Sequence, residues 1–123
     1  LAIDSVERVT TYVGLNTDFS RSSSLPYDRS LKGQDKIVAI CQQQKATTYV
    51  NLIGGTELYD AATFATHNVA LYFIKSADVS YPQQGNSFVP NLSIIDVLMF
   101  NDIHQISQLL EQYTLITQAD PHD

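Results

Sequence analysis

A chain of 123 residues with 44% hydrophobic side chains carries enough apolar material for one core and is too short for two ordinary domains. Thirteen acidic residues against seven basic ones give a net charge of -6, and the cations are scattered, which excludes the basic stripe that nucleic acid requires. No apolar run nears the roughly 20 residues that span a bilayer, and Leu1-Ala-Ile-Asp-Ser lacks the regions of a signal peptide, so the chain reads as cytoplasmic.

The spacing of Ile3, Val6, Val9 and Val13 predicts a first helix from about Ser5 to Tyr12, opened by Asp4 with Glu7 and closed by a left-handed Gly14. Thr17 to Ser22 alternates weakly around Phe19 and reads as a short strand, and Ser22-Ser-Ser-Leu-Pro-Tyr-Asp-Arg29 reads as a loop by its composition and Pro26. A second helix fits Asp35 to Gln44, with Ile37, Val38, Ile40 and Cys41 on one face. Cys41 is the only cysteine, which excludes an internal disulfide, and its neighbours make it a core residue in preference to a nucleophile. Thr48 to Leu52 is the second strand, and Gly54 and Gly55 follow it directly. A third helix from Asp60 to His67, capped by Asp60 and stopped by Asn68, leads to the third strand, Val69 to Ile74. The unbroken apolar character of that strand predicts burial on both faces.

Beyond Lys75 a polar loop containing Pro82, Gly85 and Pro90 exceeds the usual connection length and is a candidate binding loop or lid. Ser93 with Asp96 caps a fourth helix carrying Ile94, Ile95, Leu98 and Met99, apolar nearly all round and therefore expected at the centre. Asp102 and Gln105 open an amphipathic fifth helix with Ile103, Ile106, Leu109, Leu110 and Tyr113 inward, and residues 117–123 are expected to fray. The whole reads as a single α/β domain over residues 1–116. Its expected architecture is a small parallel sheet of about three strands with crossover helices and a C-terminal helical pair. Ligands of such sheets bind beyond the carboxyl ends of the strands, which points to residues 22–32, 53–59 and 75–91.

Three motifs in order carry a family resemblance: Leu31-Lys-Gly-Gln-Asp-Lys-Ile37, Tyr49-Val-Asn-Leu-Ile-Gly-Gly-Thr-Glu-Leu-Tyr-Asp60 and Phe88-Val-Pro-Asn-Leu-Ser-Ile-Ile-Asp-Val-Leu-Met-Phe-Asn101. Together they resemble the bacterial WbqC-like family from about Val6 to Leu115. Members are usually about twice as long and open with a strand bearing a Gln-Pro motif that has no counterpart before Leu1, so the chain is expected to be a C-terminal half. The resemblance implies a role in surface-polysaccharide synthesis, O-antigen in particular, as a transferase of glycine or a similar acyl group to an amino sugar, or as the substrate-binding half of one. The alternatives are a non-catalytic nucleotide or nucleotide-sugar binding module and an assembly domain. The implied partner is a nucleotide-linked or lipid-linked amino sugar, with the missing N-terminal half or another chain at an open sheet edge.

Under that resemblance Gly54, Gly55 and Thr56 can present N–H groups to a phosphate, or to the oxyanion formed when an amine attacks an acyl carbon; a tight strand-to-helix turn explains them equally well. Lys32 is either a cation for a diphosphate or a solvated loop lysine. Asn51 and Asn91 either bond sugar hydroxyls or cap turns. Asp96 is a general base if its carboxylate is buried, and otherwise a helix cap with Ser93. Tyr59 and Tyr81 stack on a sugar or base, or pack. His67, His104 and His122 are too dispersed for a metal set, and no Gly-x-Ser-x-Gly, Walker, dinucleotide or paired-cysteine motif occurs, so no metal or cofactor is assigned.

Overall fold

The computed structural model describes residues 1–85 and 87–119; His122 and the last part of the tail lie outside them. In chain order the elements are α1 (Ala2–Tyr12), α2 (Gly33–Gln43), β1 (Thr48–Leu52), α3 (Ala61–Thr66), β2 (Ala70–Ser76), α4 (Ile94–Phe100), α5 (Ile103–Leu110) and β3 (Tyr113–Ile116). Single 3₁₀ turns occupy Ser22–Ser24 and Ile53–Gly55. The sheet order is β1-β2-β3. β1 and β2 are parallel, with Thr48 opposite Ala70 and Leu52 opposite Ile74. The fold is α/β with a small, open, mixed sheet, where an all-parallel one was expected.

Two of the three strands, Thr48–Leu52 and Ala70–Ser76, fall where strands were expected, and the third does not. Thr17 to Ser22 forms no strand, because the chain there turns into the Ser22–Ser24 helix. The Arg29 guanidinium holds that turn by donating to the carbonyls of Ser22, Ser23 and Leu25 at 2.8, 2.9 and 2.9 Å. β3 takes the third place. Tyr113 extends the helical spacing of Ile106 and Leu109, yet α5 stops at Leu110 and Tyr113-Thr-Leu-Ile116 turns extended.

The described residues cluster into two compact units, one of residues 20–75 and 114–119, the other of residues 1–19, 76–85 and 87–113. In the first, α2 and α3 cover one face of the sheet. Val38, Cys41, Phe64, Val69, Leu71 and Phe73 form its core, joined at the edges by Ile37, Tyr49, Ile53, Tyr59 and Ile116. Burial along β2 alternates, with Leu71 and Phe73 buried and Ala70 exposed, so the expected burial on both faces is not found. The opposite face of β1 carries Thr48, Val50 and Leu52, all exposed.

In the second unit, α1 starts one turn earlier than expected. Asp4 therefore sits inside its first turn and pairs with Arg8 at 3.0 Å, both exposed, instead of capping. The far end follows expectation: Gly14 at φ 78° lets its N–H reach Thr11 and that of Leu15 reach Thr10, closing the helix in a Schellman motif. α4 is not central. None of its residues is buried, and Ile95 and Met99 are 66% and 75% exposed. On α5 only Ile106 is buried, while Ile103, Leu110 and Tyr113 of the expected inward set are exposed.

Candidate functional site

The expected site residues divide between the units. Lys32, Asn51, Gly54, Gly55, Thr56 and Tyr59 belong to the sheet unit, and Asn91, Ser93 and Asp96 to the helical unit.

In the sheet unit the chain leaves β1 through the 3₁₀ turn Ile53–Gly55 and reaches α3 only at Ala61, with Asp60 as its cap. Thr56 therefore opens no helix. Its N–H donates to the Ile53 carbonyl at 3.3 Å, and the Leu58 N–H donates to Gly55 at 2.9 Å. Neither Gly54 nor Gly55 lies in the left-handed region. Their roles differ: Gly54 is exposed and a side chain there would meet open space, whereas Gly55 is buried and a Cβ would stand 2.8 Å from Asn51 Nδ2 and 3.4 Å from the Tyr59 ring. Asn51 explains the tight fit. Its Oδ1 accepts the Leu52 N–H at 2.8 Å, which holds the amide over the glycine.

Tyr59 completes an aromatic trio with Tyr49 and Phe64: Tyr49 stacks on Phe64 at 5.5 Å, and Tyr59 stands 5.8 and 6.0 Å from the two rings. Burial, and next a hydrogen bond with Tyr59, pushes the Tyr49 hydroxyl up to about 12. Burial likewise raises the Cys41 thiol, as fits a core residue. Lys32 is exposed at the N-cap of α2, which has no side-chain cap of its own. Two residues on, Gln34 Oε1 accepts the Asp60 N–H at 2.7 Å and ties the start of α2 to the glycine loop. Gln118, near the start of the tail, reaches the same loop, while residues 120–123 of that tail lie outside the described residues.

In the helical unit Asp96 does not cap α4 with its carboxylate. Ser93 alone does so, accepting the Ile95 N–H at 3.3 Å. Asp96 Oδ2 instead accepts from the Tyr81 hydroxyl and from Gln83 Nε2, both at 2.7 Å. The bond to Asp96 raises the Tyr81 hydroxyl above its usual range. Gln83 also accepts the Val89 N–H at 2.8 Å and donates back to the Val89 carbonyl at 3.1 Å, while Tyr81 meets Phe88 edge-on at 5.2 Å. The loop before α4 is thus clasped onto Asp96, a half-buried carboxylate whose Oδ1 has no partner among the described residues. Asn91 is exposed at φ 59°, a left-handed turn that asparagine tolerates.

Sequence reasoning missed Gln34, Gln83 and Gln118, the side chains that fasten both loops. Outside a capping box such as that of Gln105, a glutamine amide carries no positional signature of the kind a cap or a turn glycine has. Among the described residues no three of His, Cys, Asp and Glu gather into a metal-sized group, and no helix is long and apolar enough to cross a membrane.

An α/β unit with a glycine loop leaving the carboxyl end of a parallel strand is a ligand-binding architecture in many settings. The chain belongs to the WbqC-like protein family, whose pattern residues 1–108 match. No curated protein and no solved structure matches it.

Proposed function

We propose that the chain serves bacterial surface-polysaccharide synthesis, O-antigen in particular, as a transferase of glycine or a similar acyl group to an amino sugar, or as the substrate-binding half of one. The observation that carries this reading is the family match over residues 1–108. Support comes from the loop after β1, where Gly54 leaves backbone open to a ligand and Lys32 stands exposed at the start of a helix tied to that loop. Lys32, Gly54, Gly55, Asn51, Thr56 and Tyr59 are the residues of this candidate binding loop. Because the Thr56 N–H and the Asn51 amide oxygen already have partners, they shape the loop, and contact with a diphosphate falls to Gly54 and Lys32. Asp96, with Asn91 and Ser93 near it in sequence, is a separate candidate: its unpartnered Oδ1 suits acceptance of a proton from an amine.

A thermal-shift screen of the chain against nucleoside diphosphates, nucleotide-linked amino sugars, glycine and ATP tests the reading, since a ligand held only by the folded state raises the midpoint. A nucleotide-linked amino sugar is expected to raise it, and Lys32→Ala to reduce that rise. A cooperative melt that no member of the set moves would refute ligand binding by this chain.

One observation favours an assembly role as a second reading. β1 is an edge strand; its register with β2 turns the backbone groups of Thr48 and Val50 outward, and no charged residue or proline protects them. Self-association that rises with concentration and disappears in Val50→Lys is the outcome expected of that reading.

A further inference from the structure

The backbone between Thr56 and Ala61 is poor in internal partners, since it lies between a 3₁₀ turn and the first N–H groups of α3, which have no helix carbonyl to reach. One side chain supplies much of what is lacking. Gln118, from the segment after β3, accepts the Ala61 N–H on Oε1 at 2.9 Å and donates from Nε2 to the carbonyls of Thr56 at 3.2 Å and Tyr59 at 2.9 Å. Glutamine suits this place because one neutral group offers both an acceptor and two donors; glutamate has no donor and lysine no acceptor. Gln34 holds the neighbouring Asp60 N–H from the start of α2. The stretch therefore hangs between two amides remote in sequence, and it follows directly on the turn that holds Gly54 and Gly55. Residue 118 also lies outside residues 1–108, which match the family.

We propose that Gln118 is a positioning residue for the glycine loop: the segment after β3 fixes the backbone leading out of Gly54 and Gly55, and with it the loop conformation that receives a ligand. Only the ligand clause rests on the function proposed above. The latch is a property of the loop itself.

Residue-resolved amide hydrogen exchange on the full chain tests it, comparing the parent with Gln118→Ala and Gln118→Glu. Losing the latch is expected to speed exchange at Leu58, Asp60 and Ala61 about tenfold, the worth of one or two net hydrogen bonds. The amides of Tyr49 and Asn51, bonded to β2, are expected to keep their rates. Gln118→Glu, which retains an acceptor for Ala61 but no donor, is expected to release Leu58 while leaving Ala61 partly protected. Unchanged loop exchange in both variants would overturn the proposal. So would equal acceleration at loop and ladder, since Gln118 would then support the whole unit. In a parallel arm uridine diphosphate is the probe: a midpoint rise in the parent that shrinks in Gln118→Ala joins the latch to the ligand. No rise in the parent counts against the ligand clause alone, and the exchange result still decides the latch.

Discussion

The sheet unit gathers Val38, Cys41, Phe64, Val69, Leu71 and Phe73 into one buried cluster, whereas among the described residues of the helical unit the buried hydrophobic ones are Val13 and Ile106. Yet the helical unit also finishes its helix ends, as the sheet unit does with the Asp60 cap and the left-handed closing turns at Lys45 and Asn68. α1 closes in a Schellman motif at Gly14, Ser93 caps α4, and α5 opens in a full capping box. The two halves of helix formation are therefore separable in this molecule. End chemistry determines where a helix runs, and packing determines what it buries; an apolar run such as Ile94-Ile-Asp-Val-Leu-Met-Phe100 secures the first without the second.

The largest expected effect tests that separation directly. Phe64→Ala removes a fully buried ring from the centre of the aromatic trio and is expected to cost about 3–5 kcal/mol in urea unfolding. Met99→Ala, equally drastic on paper, is expected to stay within about 0.5 kcal/mol because the side chain is 75% exposed. Similar costs for the two would show that α4 is packed in solution and would end the contrast.

Next in size is the alkaline limb, which belongs to the sheet unit through Tyr49. Its hydroxyl stands at about 12 in the folded chain against an ordinary 10, so as pH rises the unfolded chain loses this proton first. Stability from this group is complete below about pH 10 and falls as pH climbs toward about 12. Tyr49→Phe is expected to flatten that limb in pH-dependent melts. An unaltered limb in the variant would assign it to another group, with Tyr81, held up by Asp96, the first to examine.

How much of this was legible in the sequence follows the same division. β1 was readable to the residue, because a β-branched run stopped by paired glycines has one simple meaning, and Asp60, Asn68, Gly14 and the Asp102–Gln105 pair were readable because a cap is a local bond. β3 was not, since Tyr113 continues the period of α5 and only the open edge of β2 makes Tyr113-Thr-Leu-Ile116 extended. The site divides likewise. The glycine loop was visible as a place, but Gly55 as the seat of Asn51, and Gln34 and Gln118 as its fastenings, depend on contacts between segments up to 62 residues apart. The carboxylate of Asp96 was visible as a residue type, while its partners came from the preceding loop through Tyr81 and Gln83.

The smallest expected effect sharpens the comparison at two helix starts of similar chemistry. Asp102 accepts the Gln105 N–H at 2.8 Å and Gln105 returns a bond to the Asp102 N–H at 2.8 Å; Asp60 accepts from Thr63 at 2.8 Å without a reciprocal bond. Each Asp→Ala change is expected to cost about 1 kcal/mol as a lost cap. The local consequence is expected to differ. α3 keeps Phe64 in the core and Ala61 on Gln118, so Asp60→Ala leaves its first turn protected from exchange. α5 has only Ile106 buried, so Asp102→Ala releases the amides of Gln105 and Ile106 toward solvent rates. Equal fraying at both starts would mean that packing in the sheet unit adds nothing to its helix ends, and the separation drawn between the two units would fail at its most local point.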